Sequence, residues 1–311
     1  MKAGFRRGIG LLVGVLGMAR AAAASAQVVV TVDGDTAFAT ISLTDNNGTT
    51  YDADVTIVFD TPQNLTPESL NLTAQIVDPA DIDPRLPGQN ILCGAGNVRM
   101  DPDFPLMVTI EPPDIPWLFQ SGFDGGAANG GLQFLNTYAI EIHTHDLVYQ
   151  PHSPYRVFKA PIGGDFYDVT NDVQQGSVRA RGRHGAFSQF VVVADTRQVL
   201  QIPLLGSLLC PVYAEKTDAM LGLILGAVIG DVLRLDLLNL LAQVVALIPI
   251  DVLGAIGALD NLIAEIDANA GTDLPNVWRA SRDVTNSAGE LKGLAEALRF
   301  DLVESLNSAN P

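Results

Sequence analysis

The feature that most constrains this chain of 311 residues is a single change of hydrophobic period, at Cys210-Pro211. Before it, apolar residues alternate with polar ones; after it, they recur every three or four positions. Ala53, Val55, Ile57 and Phe59 alternate with Asp54, Thr56, Val58 and Asp60, the pattern of a strand with one buried face. Runs at 28–32, 37–43, 70–77, 106–111, 134–145, 177–183 and 187–194 read the same way. Asp33-Gly34-Asp35-Thr36 joins the first two as a hairpin turn, and His184-Gly185 reads as a turn joining the last two. Short strands parted by Pro, Gly and Asp predict antiparallel β-sandwich structure, one unit or two, over residues 27–205. The proline-rich stretches 78–90 and 111–117 and the glycine-rich 122–131 are expected to be connectors. A boundary near Pro113 would divide 27–112 from 113–205.

Residues 206–311 read as a helical bundle. Val252, Ile256, Leu259, Ile263, Ile266 and Ala270 are spaced alternately by four and three. Val277, Ser281, Val284, Ala288, Leu291, Ala295, Leu298 and Leu302 repeat that spacing, so two heptad seams predict a helical hairpin. Gly271 would stop the first helix, and Thr272 or Asp273 with Pro275 would start the second. Upstream, 218–248 reads as a more apolar helix with a ridge of Gly222, Gly226 and Gly230. Its uncharged runs, 219–230 and 237–250, fall short of the ~20 residues a membrane span needs. Burial against the hairpin is therefore expected, with Gly226→Leu overpacking the contact; a glycine-zipper helix inserting into the envelope is the competing reading. The fold class is α+β, a sandwich region followed by a helical bundle.

Residues 1–26 have the form of an export leader. Lys2, Arg6 and Arg7 precede an apolar core at 8–19, and Ala24-Ser25-Ala26 offers small residues for cleavage before Gln27. Phe5 and Gly8 depart from the twin-arginine pattern, which favours ordinary secretion into a periplasm or beyond. The leader holds four cations and no acid, so its removal takes the net charge from −17 to −21. Such a chain repels nucleic acid and anionic lipid. Cys93 and Cys210 are its only cysteines, and in an exported protein the pair is expected to be a disulfide.

Two groups carry potential chemistry. Glu141, His143 and His145 share one strand face, with Asp146 and His152 close in sequence, and two imidazoles at i and i+2 can share a metal. This H-x-H lacks the following glutamate of a cupin, so a metal-dependent enzyme is the alternative reading. Arg179, Arg181 and Arg183 share a second strand face, each able to hold a carboxylate or phosphate bidentately. They would bind an anionic ligand or pair with the chain's own carboxylates, Glu141, Asp165 or Asp168. No nucleophile elbow, zincin helix or phosphate-cradling glycine motif is present. The expectation is a non-catalytic binding or structural protein with no cofactor.

The segments 157–170, 176–185 and 187–190, with 53–79, resemble an uncharacterised family of exported, β-rich proteobacterial proteins. The resemblance covers residues 27–200, leaves the helical tail outside, and implies export and a β fold without any activity.

Overall fold

A computed structural model describes residues 26–87, 98–114, 131–197 and 212–309. The expected leader and both cysteines, Cys93 and Cys210, lie outside the described residues.

Sheet A runs in the order β1 (Ala26–Asp33), β2 (Thr36–Thr44), β3 (Thr50–Phe59), β9 (Tyr138–Val148), β13 (Ser177–His184), β12 (Thr170–Gln174). Sheet C runs β11 (Tyr167–Asp168), β10 (Tyr155–Ala160), β14 (Gln189–Asp195), β7 (Leu106–Ile110), β5 (Leu72–Ile76), with β6 (Val98–Met100) also on β14. Every strand pairing is antiparallel. Asp33 pairs with Thr36, so Gly34-Asp35 forms the two-residue turn, with Gly34 at φ +60°. The short helix α1 (Pro67–Leu70) sits in a crossing between sheets, and α2 (Pro79–Ile82) lies between β5 and β6 of sheet C.

The two sheets face one another. Ile41, Val55, Ile57 and Ile140 of sheet A meet Leu106, Val108, Phe190 and Val192 of sheet C in one core. On the other side of β14, Val191 and Val193 pack with Ile82, Leu86 and Phe166. A strand covered on both faces needs an unbroken apolar run, which explains why Phe190–Ala194 shows no alternation. Both sheets draw strands from either side of Pro113, and one core lies between them. The turn expected at His184-Gly185 is a crossover instead: β13 lies in sheet A, β14 in sheet C.

After the sandwich come α3 (Val212–Gly226), α4 (Asp231–Leu247), α5 (Val252–Asn269) and α6 (Ser287–Ala309). Helix α3 packs on α4 and α6, and α5 on α4 and α6, closing a four-helix layer. Two expectations fail here. The helix predicted over 218–248 breaks between Gly226 and Asp231, where the Arg234 guanidinium donates to the carbonyls of Ile224, Leu225, Ala227 and Ile229. The second seam does not start at Val277, because Val277–Arg279 forms β15, which pairs with β8 (Gln133–Leu135) beside β4 (Pro62–Gln63) in a small sheet B. Only its later positions, Ala288, Leu291, Ala295, Leu298 and Leu302, lie buried on a helix.

The bundle is joined to the sandwich by two devices. Trp278 of β15 stacks on Phe134 at 5.4 Å and meets Phe187 edge-on at 5.0 Å, sealing one end of the sandwich core. Helix α6 lies on β12 and β13 through glycines. A Cβ at Gly289 would overlap the Asn136 carbonyl oxygen, and one at Gly293 the Arg183 carbonyl oxygen. Asn286 completes the junction: its Oδ1 accepts from Gly289 N–H, and its Nδ2 donates to the carbonyls of Asn136 and Gly185.

Candidate metal centre on the outer face of sheet A

Alternation along β3, β9 and β13 sends Ala53, Val55, Ile140, Ile142, Val178 and Ala180 inward. Their neighbours Asp54, Glu141, His143, His145, Arg179, Arg181 and Arg183 therefore share the outer face. Register then decides which of them meet. His143 pairs with Asp54 of β3 on one side and with Arg179 of β13 on the other, and Asp54 pairs with Thr40 of β2.

The result is a compact group of Asp54, His143 and His145, whose ligand atoms all lie within 4.8 Å of one another. The Asp54 Oδ2 is 3.1 Å from His145 Nε2 and 3.8 Å from His143 Nδ1. Partners outside the group orient two of the three. Thr40 Oγ1 donates to Asp54 Oδ1 at 3.2 Å, which leaves Oδ2 for the histidines. Ser177 Oγ lies 2.5 Å from His143 Nε2, which leaves Nδ1 facing Asp54. Burial, with Arg179 and His145 adding to it, lowers the His143 pKa, so this imidazole is neutral at pH 7, the form that binds metal.

The other expected ligands are elsewhere. Glu141 is paired with Arg181 and lies 3.7 Å from Arg179 Nε. Asp146 accepts from the Asp52 N–H at 3.3 Å, and burial raises its pKa. His152 stands in the turn after β9 at φ +58°, with Glu304 of α6 3.8 Å away. Asp54 is the member that sequence reasoning missed. Its place on the polar side of an alternating strand was legible, but its partner depends on the β3–β9 register.

The three arginines do share one face, and each already has a carboxylate. Arg181 reaches Glu141 and, at 3.4 Å, Asp172; Arg179 shares Glu141; Arg183 Nε lies 3.5 Å from Glu296 of α6. Each guanidinium is a third or more exposed, so such pairs contribute only tenths of a kcal/mol each. Asp168, another of the carboxylates expected to serve them, is buried and bound elsewhere. It accepts from Lys216 Nζ of α3 at 2.7 Å, and the same ammonium donates to Asp301 of α6. Burial alone would raise the Asp168 carboxyl; Lys216 and Thr170 hold it below its ordinary range. Burial pushes Asp301 up to about 6 although Lys216 opposes the shift.

A second buried chain lies nearby, with Lys159 Nζ donating to Tyr167 Oη at 2.9 Å and Tyr167 Oη 3.0 Å from His184 Nε2. His184 Nδ1 accepts from Ala186 N–H, and burial, with Lys159 adding to it, holds this imidazole well below its ordinary pKa. Two of the chain's four lysines are thus buried in the interior.

Fold and site together define an α+β protein, a two-sheet sandwich joined to a four-helix layer, with a polar, histidine-bearing outer face on sheet A. The chain belongs to a family of unknown function, DUF6689, which matches residues 12–305. The match includes the helices, so the expectation that the family ends near residue 200 is corrected. No curated protein and no solved structure matches the chain.

Proposed function

We propose that this is an exported, non-catalytic binding protein whose ligand is a divalent transition-metal ion held by Asp54, His143 and His145. The carrying observation is the three-ligand group itself, supplied by adjacent strands and already oriented by Thr40 and Ser177. A ligating imidazole that hands its second nitrogen to a hydrogen-bond partner is the usual arrangement in metal sites. Two imidazoles and one carboxylate suit zinc, iron(II), nickel or copper, and leave coordination positions open for water or a partner's side chain. Binding is favoured over turnover because Asp54 and His145 stand nearly half exposed on a sheet face, where a substrate would remain in water.

Export into a bacterial periplasm or beyond rests on the leader pattern of residues 1–26. An anionic ligand on Arg179, Arg181 and Arg183 is disfavoured, since it would have to displace Glu141, Asp172 and Glu296.

Zinc titration by calorimetry, on protein prepared without a histidine tag, tests the reading. One equivalent should bind to the wild type. His143→Ala and Asp54→Ala should weaken binding by about 10–100-fold or more, while His152→Ala should not. Equal binding by wild type and Asp54→Ala, or none by either with zinc, iron(II), nickel or copper, would remove the site.

A further inference from the structure

We propose that the outer face of α4 is a dimer interface, covered by the same face of a second copy in antiparallel orientation. This stands apart from the metal centre and does not depend on it.

Helix α4 carries two apolar stripes, parted by Asp231 on one side and by Asp236 and Gln243 on the other. Its inner stripe, Leu233, Leu237, Leu241 and Val244, is buried in the four-helix core. An apolar stripe on a helix is normally enclosed, yet the one on the opposite side of α4 is open. That stripe is Val232, Leu235, Asn239, Ala242 and Ala246, continued past the end of the helix by Pro249, all exposed and without one charged residue. Its ends continue into Leu225 and Val228 on one side and Ile250 and Leu253 on the other, 57–88 % exposed. Eight of the thirteen large hydrophobic residues exposed among the described residues fall between 221 and 253. At these exposures their summed surface is on the order of several hundred Å², the scale of the ~800 Å² each partner gives to a standard interface.

The stripe selects its own partner. Its spacing of three, four, three, four and three is a coiled-coil seam, facing outward. Large residues lie in its first half, small ones in its second. An antiparallel two-fold near Asn239 and Ala242 sets Val232 against Pro249 and Leu235 against Ala246, so each large side chain meets a small one. Parallel pairing would place Leu235 against Leu235 and Ala246 against Ala246, which a straight helix pair cannot accommodate equally. Asn239, the polar residue of the seam, falls beside the axis, where its amide can reach the partner and fix register. A lipid surface is the weaker occupant: among the described residues no helix is long and apolar enough to cross a membrane, and the net charge of −17 repels anionic lipid. That same charge opposes dimer formation, so salt should strengthen the contact.

Sedimentation of the mature protein at ~0.15 M salt should give twice the chain mass, and Ala242→Glu should halve it without changing the circular dichroism. An equimolar mixture of Leu235→Cys and Ala246→Cys should form a reducible cross-linked dimer that neither gives alone. A monomer at all concentrations up to ~100 μM overturns the proposal, as does a dimer that survives Ala242→Glu. A monomer that floats with neutral phospholipid vesicles through this face also overturns it, in favour of lipid.

Discussion

Two glycine series in this chain look alike in sequence and differ in every physical respect. Gly222, Gly226 and Gly230 are spaced by four residues, and so are Gly289 and Gly293. A Cβ at any of the first three would have nothing within 4 Å. A Cβ at either of the second pair would collide with sandwich backbone, and Gly185 across the seam is equally closed by Gly289 and Glu290. The first series ends one helix and begins the next; the second lets α6 lie directly on β13. Spacing alone reports that close approach is allowed, and the facing element decides whether it happens. The expectation that Gly226→Leu overpacks a buried contact therefore fails, because the site is open.

The largest effect should come from the closed seam. Gly289→Leu must force α6 away from Asn136 and Gly185, breaking the three hydrogen bonds of Asn286 as well. A loss of about 5 kcal/mol or more is expected, at the extreme of single substitutions because backbone on both sides is fixed. Urea unfolding measures it. A midpoint within error of wild type would mean that α6 does not lie on the sandwich as described.

How much of this was legible beforehand depends on whether the information is local. The Gly34 hairpin, the alternation of β3 and the buried stripe of α6 from Ala288 onward are short-range patterns, and each is where the sequence placed it. Register is not local. That Asp54 faces His143, or that Asp168 leaves the arginines for Lys216, depends on strands and helices tens of residues apart. The failures share that cause. Val277, Ser281 and Val284 continued a heptad spacing by coincidence: Val277 pairs with β8 in a strand, and Ser281 and Val284 lie in the turns before α6. His184-Gly185 looked like a hairpin turn because nothing nearby says that the next strand belongs to the opposite sheet.

The junction also carries a titration. Asp301 has a pKa of about 6 in the folded protein, raised by burial above the ~3.9 of an unfolded aspartate. Its raised value means the folded state takes up a proton first as pH falls. Above pH 6 the ionised carboxyl costs stability, and that cost is relieved between about pH 6 and pH 4. Asp301→Asn should therefore be more stable than wild type at pH 7.5, by the order of 1–3 kcal/mol, with the advantage shrinking toward pH 4.5. His184 works in the opposite direction, since a buried neutral imidazole loses stability as pH falls below ~6.5, but it is common to both proteins and cancels in the difference. Parallel thermal melts at the two pH values decide it. An advantage of Asp301→Asn that stayed constant with pH would show that Lys216 already satisfies both carboxylates fully.

The smallest effect tests the open series. Gly222 lies inside α3, exposed, with free space where a side chain would stand. Glycine in such a position loses more backbone freedom on folding than alanine and gives no packing in return. Gly222→Ala should therefore stabilise the protein by about 0.5–1 kcal/mol, a small upward shift of the thermal midpoint. The sign carries the argument, since the same methyl group at Gly289 must be destabilising. If Gly222→Ala lowered the midpoint instead, something would have to stand against that face of α3, and the dimer contact would then extend from α4 across α3. Concentration dependence separates the cases. A penalty that vanishes on dilution to monomer places a second copy over Gly222, whereas one that persists in the monomer means that α3 packs more closely within its own chain than the open space around its glycines indicates.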